Sequence, residues 1–110
     1  MSVLTAQPVL LSGLAPVLTA AAVGGNQFIN SGTEFLFVRN AHASPITVTI
    51  NSIAPCNQGF DHDVVVSVPN GADRFIGPFP KSRFDDANGQ VQITYSVVTA
   101  LTVAVVRVSS

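Results

Sequence analysis

The stretch that decides the fold is QVQITYSV, residues 90–97. Its apolar side chains, Val91, Ile93, Tyr95 and Val97, alternate with glutamine, threonine and serine. Successive side chains of a β-strand point to opposite faces of a sheet, so this alternation predicts a strand with one buried face.

The same period-two pattern recurs along the chain. PITVTINSI (45–53) places Ile46, Val48 and Ile50 on one face, and DVVVSV (63–68) does the same with Val64, Val66 and Val68. EFLFVR (34–39) and LTVAVVRV (101–108) are apolar on both faces, which predicts central strands or strands whose outer face meets a partner. No stretch repeats apolar residues at helical spacing without glycine, proline or β-branched residues intervening, so no helix is predicted.

Turn signals separate these strands. Asn70-Gly71 accepts positive φ angles at little energetic cost, and it predicts a hairpin between residues 64–68 and 74–77. Counting the shorter pieces, we expect seven or eight strands in an all-β, single-domain antiparallel β-sandwich or barrel. Residues 16–110 would form the sandwich, and the weakly patterned residues 1–15 would form an N-terminal arm outside it.

The chain carries few charges. Only 10% of its 110 residues are charged and the net charge is −1, whereas roughly 25% are charged in a typical soluble domain. We therefore expect no attraction to nucleic acid or to an acidic membrane. Two explanations of the sparse charge stay open: another protein covers much of the surface, or serine, threonine, asparagine and glutamine solvate it.

The lone cysteine and the apolar N-terminal region bear on localisation. Cys56 is the only cysteine, so no intrachain disulfide can form and a reducing compartment fits best. Residues 8–23 are apolar but are interrupted by prolines and a glycine, and are shorter than the roughly 20 residues of a membrane span. No lysine or arginine precedes Arg39, so we interpret the segment as part of the mature protein rather than a signal peptide.

Three polar groups were weighed as chemical sites. Asp61-His62-Asp63 could bind a metal, but neighbouring strand residues point to opposite faces, so we favour a polar strand entry. Asp85-Asp86-Ala87-Asn88-Gly89 resembles part of a calcium loop but lacks the alternating ligands and the distal glutamate, so we favour an Asx-type turn. Cys56 lies in a loop flanked by proline and glycine. His62 is close in sequence and could activate its thiol, but we favour a small apolar residue. His42 lies in a predicted turn. We therefore predict no catalytic residues, no metal, no cofactor and no small-molecule substrate.

FIGPFPKSRFDD, residues 75–86, predicts a corner at the edge of a sheet. Pro78 and Pro80 cannot donate backbone hydrogen bonds, so a strand must end there or lie at an edge. Aromatic and arginine side chains are favoured interface anchors. The stretch is thus either a stiff loop or an edge that anchors a neighbouring subunit through Phe79, Arg83 and Phe84.

Residues 16–108 resemble small proteins from the structural modules of tailed bacteriophages. The resemblance rests on the lone Cys56 and on the order of predicted strands and turns in four segments: AAAVGGNQFINSGTEFLFVRN, SPITVTINS, GFDHDVVVSVP and RFIGPFPKSRFDDANGQVQITYS. Members of this group with an assigned role are capsid decoration, or cement, proteins. The resemblance implies a β-sandwich of jelly-roll type bound to the outside of a capsid, often as a trimer, and it implies no catalytic residues.

Three functional hypotheses follow. The first is a homotrimeric decoration protein that binds the major capsid protein on the virion surface and is assembled in the host cytoplasm. The second is a tail, baseplate or head-fibre sandwich that binds a receptor or another virion protein, although the absence of tryptophan disfavours a glycan. The third is an enzyme or metal protein using Asp61, His62 and Asp63.

Overall fold

Strands make up about half of residues 2–52 and 63–108, the parts of the chain that this computed structural model describes. The single helix in these residues is one turn long, in a region where no helix was predicted. The strands are β1 (Ser2–Leu4), β2 (Ala6–Val9), β3 (Thr19–Ala20), β4 (Asn26–Ile29), β5 (Glu34–Asn40), β6 (Ile46–Ile50), β7 (Val64–Val68), β8 (Asp73–Ile76), β9 (Gln90–Tyr95) and β10 (Leu101–Val108), and the helix is α1 (Lys81–Phe84).

Strands β3 to β10 form a jelly roll. They pair as one long antiparallel hairpin that has been rolled up: β6 with β7, β5 with β8, β4 with β9 and β3 with β10. Rolling places β4-β9-β6-β7 in one sheet, sheet I, and β10-β5-β8 in the other, sheet II, with β3 along β10. The predicted β-sandwich and its jelly-roll type are confirmed.

The core lies between the two sheets and follows the predicted alternation. Sheet I contributes inward side chains from β6 and β9, such as Val48 and Ile93, and sheet II contributes those of β5 and β10, such as Val38 and Val103; all four are fully buried. Burying each such side chain contributes about 1.5–3 kcal/mol. Val97, predicted on the inner face, lies beyond the end of β9 and is partly exposed because the chain turns there.

The predicted hairpin at Asn70-Gly71 is wrong. Strand β7 belongs to sheet I and β8 to sheet II, so this turn carries the chain across the sandwich. The buried Asn40 of β5 holds the crossing: its side-chain Nδ2 donates to the carbonyl of Val68, and its carbonyl accepts from the N–H of Gly71 at 2.7 Å. Turn residues specify a local reversal but do not specify the sheet in which the next strand pairs.

The predicted arm outside the sandwich is also wrong for residues 2–9. Strand β1 pairs parallel with β4 at the edge of sheet I, and β2 pairs parallel with β10 at the edge of sheet II. The chain crosses between the sheets at Thr5. We call residues 2–9 the strap and residues 10–18, which connect it to β3, the linker. The strap gives both sheets parallel pairs, whereas the pairs within the jelly roll are antiparallel as predicted.

Candidate interaction surface

The two outer faces of the sandwich differ in chemistry. Opposite the core, sheet I displays mainly amide and hydroxyl side chains, with Ile29, Val65 and, on the paired strand β1, Val3 as its exposed apolar residues. Water solvates such a face well without formal charge. Its polar members are Gln27, Gln90, Gln92, Thr94, Thr47, Thr49 and Ser67.

The outer face of sheet II is mainly apolar, with Gln7, Thr102, Arg39 and Asp73 as its polar members. Its strands present a continuous set of aromatic and aliphatic side chains, because β5 and β10 are apolar on both faces, as their sequences indicated. The strand register places these side chains in neighbouring rows across β2, β10, β5 and β8. We call this set the Phe75 face; it consists of Val9, Phe35, Phe37, Phe75, Ala104, Val106 and Val108. Of these, Phe37, Ala104 and Val106 are buried within the chain, and Val9, Phe75 and Val108 are exposed.

The centre of the Phe75 face is an aromatic pair. Phe37 and Phe75 are cross-strand partners with ring centroids 4.6 Å apart. Phe37 is buried, whereas Phe75 is 64% exposed. The Arg39 guanidinium lies 5.5 Å from the centroid of Phe37, and its Nε lies 3.1 Å from Asp73 Oδ1. The exposed ring therefore stands beside a charged rim, an arrangement typical of a protein interaction site.

A second apolar feature adjoins this face at the end of the strap. Residues Leu10–Gly13 form a turn closed by a hydrogen bond from the Gly13 N–H to the Leu10 carbonyl at 2.9 Å. The side chain of Leu11 at its tip is fully exposed, and a groove lined by Val9, Leu10, Leu11, Ser12 and Val108 continues onto the Phe75 face. Turn tips ordinarily carry small polar residues, so the exposed leucine is unusual for a turn and extends the apolar surface of this end of the molecule.

The corner predicted at residues 75–86 exists, but two of its three predicted anchors are not available. Phe79 and Phe84 are 2% and 3% exposed and belong to the chain's own core. Phe79 packs between the rings of Phe28 and Phe84, with centroid distances of 5.6 and 5.5 Å. Only Arg83 is exposed, and its guanidinium lies 4.9 Å from the Phe84 ring centroid. The exposed aromatic of this stretch is Phe75, and nothing in the sequence around it distinguishes it from the buried rings.

Buried Asn30 holds the corner in place. Its Nδ2 donates to the Phe79 carbonyl at 2.9 Å and to Asp85 Oδ1 at 2.7 Å. Lys81 Nζ donates to the Asn30 carbonyl at 2.8 Å and lies 3.0 Å from Asp85 Oδ2. Asn30 was predicted only as a turn residue, because its partners lie about fifty positions away and leave no local signal.

The polar groups weighed as chemical sites have structural partners where the structure describes them. Cys56, Asp61 and His62 lie outside the described residues. Asp63 Oδ1 accepts from the Ser52 N–H at 2.9 Å. His42 Nδ1 accepts from the Ser44 N–H at 3.1 Å, within its turn.

The predicted Asx-type turn at Asp86 is present. Asp86 Oδ1 accepts from the backbone N–H of Asn88 at 2.8 Å. Hydrogen bonds from the Gln92 side chain and from the N–H groups of Gln90 and Asn88 hold the pKa of Asp86 below its usual value. The adjacent Asp85 turns to Asn30 and Lys81 instead, so the two carboxylates face different partners. Among residues 2–52 and 63–108, no group of three or more metal-ligating side chains occurs.

Glu34 is a buried carboxylate at the start of β5, 3% exposed. Burial raises its pKa, but hydrogen bonds from the backbone and hydroxyl of Ser31 and from the Thr33 N–H outweigh burial and leave the pKa below its ordinary value. The Ser31 N–H and Oγ lie 2.7 and 2.8 Å from the carboxylate oxygens. These bonds fix the turn between β4 and β5, which is a structural role.

Comparison with known proteins found no matching family model, no matching curated protein and no matching solved structure. In the described part of the chain, no helix is long and apolar enough to cross a membrane.

Proposed function

We propose that this chain is a structural virion protein that decorates the outside of a bacteriophage capsid. In this proposal it binds the major capsid protein, acts as a homotrimer at junctions between capsomers, and has no catalytic activity. It would be assembled in the host cytoplasm and reside on the virion surface. The proposal rests on the resemblance of residues 16–108 to phage structural proteins together with the chemistry of the surface.

The single observation that carries the proposal is the difference between the two outer faces. An apolar Phe75 face is unfavourable in water but favourable against a protein surface, because burying apolar area contributes roughly 25 cal/mol per Å². The polar face of sheet I can stay in solvent at the same time. A jelly roll with one face for its partner and one for water fits a protein that lies on a shell.

Repetition makes modest contacts sufficient. Each contact of a decorating trimer can be weak, because once one subunit is bound the others bind at a high effective concentration. Because only 10% of the residues in the chain are charged, covering its surface also removes few hydrated charges from water. The exposed Leu11 turn and the Phe75 face together provide two apolar contacts on one side of the molecule.

The test is the presence and position of the chain in purified particles. Virions from the phage that encodes it are examined by quantitative mass spectrometry and by electron cryomicroscopy. We expect many copies per head and density for a jelly roll outside the capsid layer, with the Phe75 face towards a neighbour. Absence from the virion refutes a structural role, and density confined to the tail or baseplate replaces decoration by the second hypothesis.

A further inference from the structure

We propose that the strap, residues 2–9, exchanges between copies of this chain, so that the strap of one subunit completes the jelly roll of the next. The strap is the only described segment that pairs with both sheets. The inference concerns how subunits join to each other, and its test needs no capsid.

The strap fits two open edges that every copy carries. Residues Ser2–Leu4 pair with Asn26–Phe28 of β4, and Ala6–Val9 pair with Val105–Val108 of β10. Without the strap, the N–H and C=O groups of both edges would be unpaired on the same side of the sandwich. An identical strap from a second copy meets the same groups in the same register, and open sheet edges accept such added strands.

The strap is fastened mainly through its backbone. Only Leu4 and Ala6 of its side chains pack against the core, and Val3 and Val9 are 58% and 42% exposed. Segments held by edge hydrogen bonds with few buried apolar contacts open at a low free energy compared with the whole fold. The strap can therefore leave its own sandwich while the eight-stranded jelly roll stays folded.

The linker supplies a reason for exchange. Leu10, Leu11 and Val17 are 53%, 112% and 71% exposed, so the isolated chain leaves its hinge segment uncovered and apolar. When the strap crosses to a neighbour, the linker runs between two subunits and these side chains gain a protein surface. With Val17 held beside β3, residues 10–16 form the movable hinge, and they can span about 23 Å because extended chain covers about 3.3 Å per residue.

A side-chain clamp defines where an exchanged strap would sit. Gln7 accepts from the Val17 N–H at 2.9 Å and donates to the Val17 carbonyl at 3.0 Å. Its amide thereby pairs with the backbone beside β3 as another strand would. After exchange, Gln7 of the incoming strap meets Val17 of the receiving subunit, so the clamp becomes a contact between subunits. Exchange in a closed ring of subunits leaves every edge paired.

The test uses disulfide trapping in a Cys56→Ser background. Val3 and Gln27 are register partners between β1 and β4, and neighbouring strands lie about 4.8 Å apart, within the Cα separation that a disulfide spans. Two single variants, Val3→Cys and Gln27→Cys, are refolded together at high concentration and oxidised. We expect a covalent dimer with one chain of each kind, because only an exchanged strap brings the two cysteines together.

The matched control is the β6–β7 hairpin, where Thr49 and Val65 are register partners and cannot separate without loss of the fold. Thr49→Cys and Val65→Cys chains refolded together give the background of random cross-linking. We expect the Val3→Cys and Gln27→Cys chains to give at least ten times as much mixed disulfide dimer as this control pair. A mixed dimer at the background level overturns the proposal, provided that the double variant Val3→Cys/Gln27→Cys shows that the disulfide itself forms.

Discussion

Replacing Phe75 by threonine tests whether the apolar outer face of sheet II is an interface. Threonine is β-branched and therefore also suits a strand, but it lacks the aromatic ring. Phe75 lies on the edge strand β8, and its ring is 64% exposed. The substitution therefore removes a large solvent-facing apolar group while leaving the core residues in place.

The magnitude follows from the exposed area. A phenylalanine offers about 200 Å² for burial, so its 64% exposed fraction is about 130 Å². At about 25 cal/mol per Å², complete coverage by a partner contributes about 3 kcal/mol. The smaller threonine side chain retains part of this burial energy. The substitution should therefore weaken binding by about 2 kcal/mol, or roughly thirty-fold in affinity for each subunit contact.

The effect on folding is smaller. The buried part of the ring, 100% minus 64%, corresponds to about 70 Å², and threonine fills some of it. We expect the free energy of unfolding in urea to fall by about 1 kcal/mol, because Phe37 loses the ring 4.6 Å away that covers it. A loss of association well beyond this loss of stability separates an interface role from a folding role.

The assay compares Phe75→Thr with Val65→Thr, a substitution at a residue of the same exposure, 63%, on the polar face of sheet I. Self-association is measured by sedimentation velocity, and binding to heads that lack the chain is measured by co-sedimentation. We expect the Phe75 variant to be impaired in at least one of the two and the Val65 variant in neither. Equal behaviour of the two variants in both assays refutes the assignment of the Phe75 face.

Three further predictions concern the fold that presents this face. Asn30→Ala should lower the free energy of unfolding, measured by urea titration, by about 2–3 kcal/mol, because Asn30 Nδ2 donates to both the Phe79 carbonyl and Asp85 Oδ1. The control Thr94→Ala, on the exposed face of sheet I, should change the free energy of unfolding little. Gly77→Ala should destabilise the fold by about 2 kcal/mol or more, since Gly77 has φ +135° and a Cβ there would lie 3.0 Å from the Glu34 carbonyl oxygen. The control Gly71→Ala, with φ +72° and open space around the new Cβ, should lower the melting temperature less than Gly77→Ala does. Folding lowers the pKa values of Glu34 and Asp86, so in acid the folded state binds fewer protons than the unfolded state. The free energy of unfolding should therefore be constant at neutral pH and decline as the pH falls through the ordinary pKa values of these groups, 4.5 and 3.8. Urea titrations from pH 7 to about pH 3 should show a shallower decline for Glu34→Gln, and an unchanged slope in that variant would contradict the role given to Glu34.

The strands could be predicted from the sequence because side-chain alternation is a direct consequence of strand geometry. Val91 and Ile93 are buried as their spacing required, and the all-apolar strands β5 and β10 are central as expected. The jelly-roll topology was implied by the resemblance rather than by the pattern. Alternation defines which face of a strand is buried but does not define its neighbour, which is why the Asn70-Gly71 turn was assigned to a hairpin.

The strap and the anchor residues could not be predicted for a related reason. A parallel edge strand needs only backbone groups, so residues 2–9 required no alternating pattern and resembled an arm. In residues 75–86 three phenylalanines lie close in sequence, and only the structure separates Phe75, which faces solvent, from Phe79 and Phe84, which face the core. Exposure of an aromatic ring depends on long-range packing, here on Asn30 and Phe28.

The strap also explains why association would proceed through faces and an exchanged segment rather than through growing sheet edges. Sheets with open edges tend to extend by pairing with further copies. On one side of this sandwich the strap occupies the edges of β4 and β10 together. On the other side the edge strands are β7 and β8, and Pro78, two residues after the end of β8, cannot donate to a strand that would lengthen that edge. If the strap were removed, two adjacent edges would open at once beside the exposed leucines of the linker. The same residues would then favour open-ended aggregation, whereas exchange between copies keeps the edges paired and gives an assembly of limited size.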